Sequence, residues 1–110
     1  MSLKKDRCDF TELLCTKLVP FIIVNGYEVC LDEVTEHLTK KDPTSDHIEG
    51  SKHHDGLAAD LNLYKDGIWL SKTEDHRIFG EYWESLDPRC SWGGHFNDGN
   101  HYSFYENKII

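Results

Sequence analysis

From Asp9 onward the apolar residues Phe10, Leu13, Leu14, Leu18, Phe21 and Ile22 recur at the three- and four-residue spacing of one helix face. Asp9 stands where a carboxylate caps the first turn, and Gly26 where a left-handed residue ends the last. Pro20 falls inside this pattern. It offers no N–H to the preceding turn, so a kink or an early end is expected there. Tyr27 to Leu31 then reads as a short strand. Between Asp32 and Gly50 the apolar spacing thins while charges, Pro43 and hydroxyl residues accumulate. That composition predicts a surface loop with one helical turn, a natural lid or specificity loop.

Ala58 to Tyr64 alternates apolar and polar residues, and Lys65-Asp66-Gly67 separates it from Ile68, Trp69 and Leu70. This is the pattern of a β-hairpin closed at Asp66-Gly67. Ser71 and Glu74 have the spacing of a capping box before a second helix, which should bury Ile78, Phe79, Tyr82 and Trp83 and stop near Leu86, ahead of Pro88. Trp69 joins Phe79, Tyr82 and Trp83 as an expected core aromatic. Beyond Cys90 the chain is rich in Gly, His, Asn and aromatics, then returns to a strand-like Tyr102-Ser103-Phe104-Tyr105. No repeat, low-complexity tract or linker divides it. Residues 1–110 therefore form one expected domain of the α+β class, with two helices packed on a small, mainly antiparallel sheet.

Charge narrows the function. Twenty acidic against twelve basic residues give a formal net charge of -8, the wrong sign for neutralising phosphates, so nucleic-acid and anionic-membrane binding are not expected. The longest apolar stretch, Leu18 to Val24, is far shorter than the roughly 20 residues of a membrane-spanning helix. It also lies too deep to be a secretory signal, which points to a cytoplasmic site of synthesis. Cys8, Cys15, Cys30 and Cys90 form no CxxC pair and read as buried free thiols.

Seven histidines are present, and two segments combine histidine with carboxylates and glycines: Ser51 to Asp60, and Trp92 to His101. Two imidazoles and a carboxylate suffice to hold a catalytic zinc with one position left open. Spacing does not fix the geometry, because the step from His53 to Asp60 matches no short helical ligand pair. His54 and His95 stand equally for substrate contacts or for surface residues. Trp92 reads either as a wall of a substrate cleft or as packing beneath the glycines. The neighbours of Cys90 do not suggest a nucleophile.

Ser51, His53, Gly56, Ala58 and Asp60 write SxHxxGxAxD, and Trp92-Gly93-Gly94 followed by Asp98 to His101 write WGG and DxxH. In this order and spacing the two motifs resemble the zinc peptidases of peptidoglycan stem peptides, the LAS metallopeptidases. These comprise D-alanyl-D-alanine carboxypeptidases, D,D-dipeptidases and bacteriophage L-alanyl-D-glutamate endolysins. The intervening Gly80 to Leu86, GEYWESL, is similar to short phage members. The resemblance implies the fold shared by hedgehog signalling domains and D,D-peptidases, with Zn²⁺ bound by His53, Asp60 and His101 and with Asp98 as general base. Ser51 and the Gly93-Gly94 pair would support the site.

The implied activity is hydrolysis of an amide bond in a peptidoglycan peptide by a monomeric protein that reaches the wall through a holin or on lysis. One departure from the family is plain: relatives carry an Arg or Gln upstream of the first motif as oxyanion donor, whereas Thr35, Glu36 and His37 stand there in this chain. Losing one such donor typically costs on the order of a hundredfold to a thousandfold in rate. His37, Lys40, Lys41, Lys52 and His54 are the candidate substitutes. The alternative is a catalytically weak, zinc-containing module that binds a wall peptide or a protein partner.

Overall fold

The computed structural model describes residues 2–32 and 56–106. Helix α1 (Leu3–Leu13) passes through a wider π turn (Leu14–Leu18) into α2 (Val19–Val24). The helical run starts earlier than the apolar spacing predicts, because Ser2 is the cap and its Oγ accepts from the Lys5 N–H at 3.1 Å. Asp9 lies inside α1 and pairs with Lys5 at 2.8 Å and Arg89 at 3.0 Å. Pro20 does not end the run, which continues to Val24. In the π turn the Val19 N–H donates to Leu14 O, and this local widening accommodates the donor that Pro20 lacks. Gly26, at φ +92°, ends the helix as expected.

The strands are β1 (Glu28–Asp32), β2 (Ala58–Lys65), β3 (Ile68–Leu70), β4 (Cys90–Trp92) and β5 (His101–Phe104). All pairings are antiparallel, in the order β1-β2-β5-β4 with β3 also on β2. One edge of β2 carries β1. The other is shared, with β5 on Ala58 to Asp60 and β3 on Leu63 to Lys65. The hairpin turns at Asp66 (φ 53°) and Gly67 (φ 77°), the left-handed pair that suits a two-residue connection. A 3₁₀ turn (Thr73–His76) leads into α3 (Arg77–Leu86).

The architecture is the α+β arrangement read from the sequence. Phe10, Leu14, Leu18 and Ile22 from the helical run bury against Leu61, Leu63, Tyr102 and Phe104 of the sheet and Phe79 and Trp83 of α3. Trp83 Nε1 donates to the carbonyls of Ser91 at 3.2 Å and Ser103 at 3.1 Å, so one indole ties β4 to β5. Phe21 stacks on Tyr82 with 3.9 Å between ring centroids. No described helix is long and apolar enough to cross a membrane.

Four local expectations are corrected. The cap of the second helix sits one residue later than Ser71 and Glu74: the Lys72 N–H donates to Asp75 Oδ2 at 3.2 Å, while Glu74 pairs with Arg77. Ile78 is exposed because α3 turns Phe79 and Trp83, four residues apart, to the core. Trp69 is 58% exposed, since as the register partner of Tyr64 it shares the sheet face opposite the buried Leu61 and Leu63. Of the cysteines only Cys90 is buried; Cys8, Cys15 and Cys30 are exposed on α1, the π turn and β1. Most of the predicted Asp32 to Gly50 loop lies outside the described residues.

His76 is 2% exposed, with Nδ1 2.8 Å from the Tyr102 hydroxyl. Burial pushes its pKa down from 6.5 to about 4, against a small opposing pull from Asp75. The unfolded chain therefore takes up this proton first as the pH falls. The stabilising contribution is complete above 6.5 and is lost as the pH drops towards 4, at up to about 1.4 kcal/mol per pH unit. The urea midpoint of His76→Gln is expected to fall less steeply across that window than that of the parent protein. Equal slopes would remove His76 as the source.

Candidate metal centre

Asp60 and His101 face each other across β2 and β5 as register partners. Both are buried, at 9% and 6% exposure, and His101 Nδ1 lies 3.1 Å from Asp60 Oδ1. The other ring nitrogen, Nε2, is 3.0 Å from Glu106 Oε2, just past the end of β5. Burial alone lowers the His101 pKa, but the carboxylates of Asp60 and Glu106 outweigh it and raise the value to about 10.

These donors fit a zinc ion. Two ligands on a tetrahedral Zn²⁺ with bonds of about 2.0–2.1 Å stand roughly 3.3 Å apart, close to the observed N···O separation. A zinc-bound histidine commonly gives its remaining N–H to a carboxylate, which is the position Glu106 occupies. Among the described residues no group of three metal-capable side chains is assembled. His53, the third expected ligand, lies outside the described residues, as do Ser51, His54 and the proposed oxyanion substitutes His37, Lys40, Lys41 and Lys52. Arg7 of α1 lays its side chain along Gly56 of the first motif, where an added Cβ would stand 3.1 Å from Nε.

Asp98 is exposed on the tight turn that leads into β5. Its N–H donates to Gly93 O at 2.9 Å, and its carbonyl accepts from the His101 N–H at 3.1 Å. The candidate base and the candidate ligand thus share one turn. The glycines explain how it closes. A Cβ on Gly93 would overlap the Asp98 carbonyl oxygen and stand 2.8 Å from His101 Cβ, so only glycine admits this approach. A Cβ on Gly94, or on Gly80 of α3, would overlap the Trp92 ring. Trp92 is buried between them and donates from Nε1 to Gly99 O at 2.7 Å, which decides for packing beneath the glycines over a cleft wall.

Four further contacts brace the segment from Trp92 to Asn100. Leu61 N–H donates to Asn100 O at 2.8 Å, and Gly99 N–H donates to Thr73 Oγ1 at 3.2 Å. Glu84 of α3 accepts from the Trp92 N–H at 2.9 Å and meets His95 Nε2 at 2.9 Å, which gives His95 a structural partner. Motif reading missed Glu84 and Glu106. Glu84 is one residue of an ordinary amphipathic helix, while Glu106, five residues after His101, is detectable only once β5 brings it back to the imidazole. No protein-family model matches the chain, and neither does any curated protein.

Proposed function

We propose that this protein is a zinc-dependent peptidase that hydrolyses an amide bond in peptidoglycan stem peptides, with the hedgehog/D,D-peptidase fold and an endolysin-like role at the wall after release from the cell. The observation that carries the reading is the buried Asp60–His101 pair at 3.1 Å, with Asp98 on the turn that delivers His101. His53, Asp60 and His101 would hold the metal. Zinc, when bound, supplies a Lewis acid for the scissile carbonyl and the attacking water.

The remaining chemistry belongs to the chain. Asp98, exposed on the turn that delivers His101, takes the proton of the attacking water and returns it to the leaving amine. Glu106 would support His101 from the Nε2 side as a charge within ion-pair distance, while Nδ1 is turned towards Asp60. Glu106→Gln is expected to weaken zinc binding by roughly 10- to 100-fold, read by competition with a chromophoric chelator. Unchanged affinity would leave Glu106 without a role in the site.

The function is tested by mass spectrometry of purified peptidoglycan fragments incubated with zinc-loaded protein beside chelator-stripped protein. New peptides with zinc alone are expected, and their masses identify the bond. No cleavage at confirmed zinc content would overturn the peptidase in favour of a zinc-containing binding module.

A further inference from the structure

Side chains alternate across a strand, and register partners on neighbouring strands stand on the same face. Asp60, Asn62 and Tyr64 of β2 therefore share one face of the sheet with His101, the partner of Asp60, and with Trp69, the partner of Tyr64. On β1 the same face carries Glu28 opposite Tyr64. Leu61 and Leu63 turn the other way, into the core. One face thus holds the candidate metal pair at one end and two aromatic residues at the other. The four residues from Asp60 to Tyr64 set them about 13 Å apart.

The two ends differ in burial. Asp60 and His101 are almost enclosed, whereas Trp69 is 58% exposed and Tyr64 half-buried. An indole in water is surface whose burial is favourable, so the chemistry of its neighbours decides what suits it. A wholly apolar partner would strip water from the Asn62 amide and the exposed Glu28 carboxylate without replacing their hydrogen bonds. A strand-like peptide seeks backbone groups at a sheet edge rather than side chains on a face. A pyranose meets both demands. Its C–H face lies flat against an indole, and its rim hydroxyls donate to a carboxylate and exchange hydrogen bonds with an amide. Trp69 and the turn that carries Asp98 also border one hollow of about 180 Å³, so the indole and the candidate base open on the same space.

We infer that Trp69, with Tyr64 and Asn62 beside it, forms a saccharide subsite that seats a ring of the amino-sugar strand to which the cleaved peptide is attached. The choice of that strand rests on the peptidase reading; the choice of a sugar rests on the sheet face. A wall peptide is joined to an amino sugar at its N-terminal end, and about 13 Å is the span of some four residues of extended chain. A sugar on the indole and an amide at the metal pair therefore fit within one ligand. Trp69 stands too far from the metal pair to touch the reacting atoms, so the subsite lowers KM and leaves kcat alone.

The test titrates the full chain with tri-N-acetylchitotriose, followed by NMR at the Trp69 indole N–H, and compares cleavage of sugar-linked wall peptides with that of the same peptides freed from their sugar. The saccharide is expected to shift the Trp69 signal. Trp69→Ala should weaken its binding roughly tenfold, and Trp69→Phe, which keeps a ring, should lose less. In Trp69→Ala the KM for sugar-linked peptides should rise by a similar factor, while kcat, zinc content and the KM for free peptides hold. No saccharide binding, binding that leaves the Trp69 signal unmoved, or equal affinity in Trp69→Ala would overturn the inference. Saccharide binding at Trp69 without cleavage of any wall fragment would sink the peptidase and leave the subsite standing. Cleavage of both kinds of peptide with the same KM would do the reverse.

Discussion

Asp98→Ala is expected to retain zinc and to lose roughly a hundredfold to ten-thousandfold in kcat, whereas His101→Ala loses metal and turnover together. The split follows from where each group stands. Asp98 ties its turn through backbone atoms, the N–H to Gly93 O and the carbonyl to the His101 N–H, and both bonds survive removal of the carboxylate. His101→Ala instead deletes the imidazole that joins Asp60 to Glu106 and leaves two carboxylates facing a hole in the sheet. Metal content by mass spectrometry and cleavage rate, measured on the same preparations, separate the two. Full activity in Asp98→Ala would end the assignment of the base, and loss of zinc in that variant would make Asp98 a ligand or a support instead.

The parts of this site legible in the sequence are those whose geometry is local. The three-residue step from Asp98 to His101 is one turn, so its spacing carried real information. The glycines of WGG stood out in the sequence only as support for the site; that Gly93 meets the Asp98 turn while Gly94 meets Trp92 depends on packing that no local pattern records. The pairing of Asp60 with His101 needed the resemblance, because a cross-strand register between residues so far apart leaves no local periodicity.

What stayed hidden was short or non-local. β4 is three residues long and wholly buried, so it shows no alternation to read. The start of α1 lies in a polar stretch without a hydrophobic stripe, which is why the apolar pattern placed the helix too late. His76 and Tyr102 meet across 26 residues, and neither belongs to a motif. The hairpin, by contrast, was read correctly because Asp66-Gly67 carries its own backbone preference.

Arg89→Leu is expected to cost about 3 kcal/mol, a value set between exposed ion pairs and fully buried ones. The guanidinium donates to Asp87 from Nε and Nη2, both at 2.9 Å, and from Nη1 to Asp6 and Asp9 of α1, both at 3.0 Å. It also lies 4.7 Å from the centre of the Phe104 ring. Its hydrogen bonds to Asp87 hold that carboxyl below its usual range. Leucine preserves some packing on Phe104 but leaves three carboxylates converging without their common cation, and Asp6 among them is buried. Lysine cannot replace it, since one ammonium cannot span Asp87 on one side and two helical carboxylates on the other. In a domain of this size the loss corresponds to a fall in Tm on the order of 10 °C or more. The damage should reach the proposed metal centre as well. Tyr105 donates its hydroxyl to Asp6 and its N–H to Arg89 O, and the next residue is Glu106, the partner of His101. Arg89→Leu is therefore expected to lower zinc affinity along with Tm, whereas a Tm change of under about 1 kcal/mol equivalent would reduce the cluster to ordinary surface pairing.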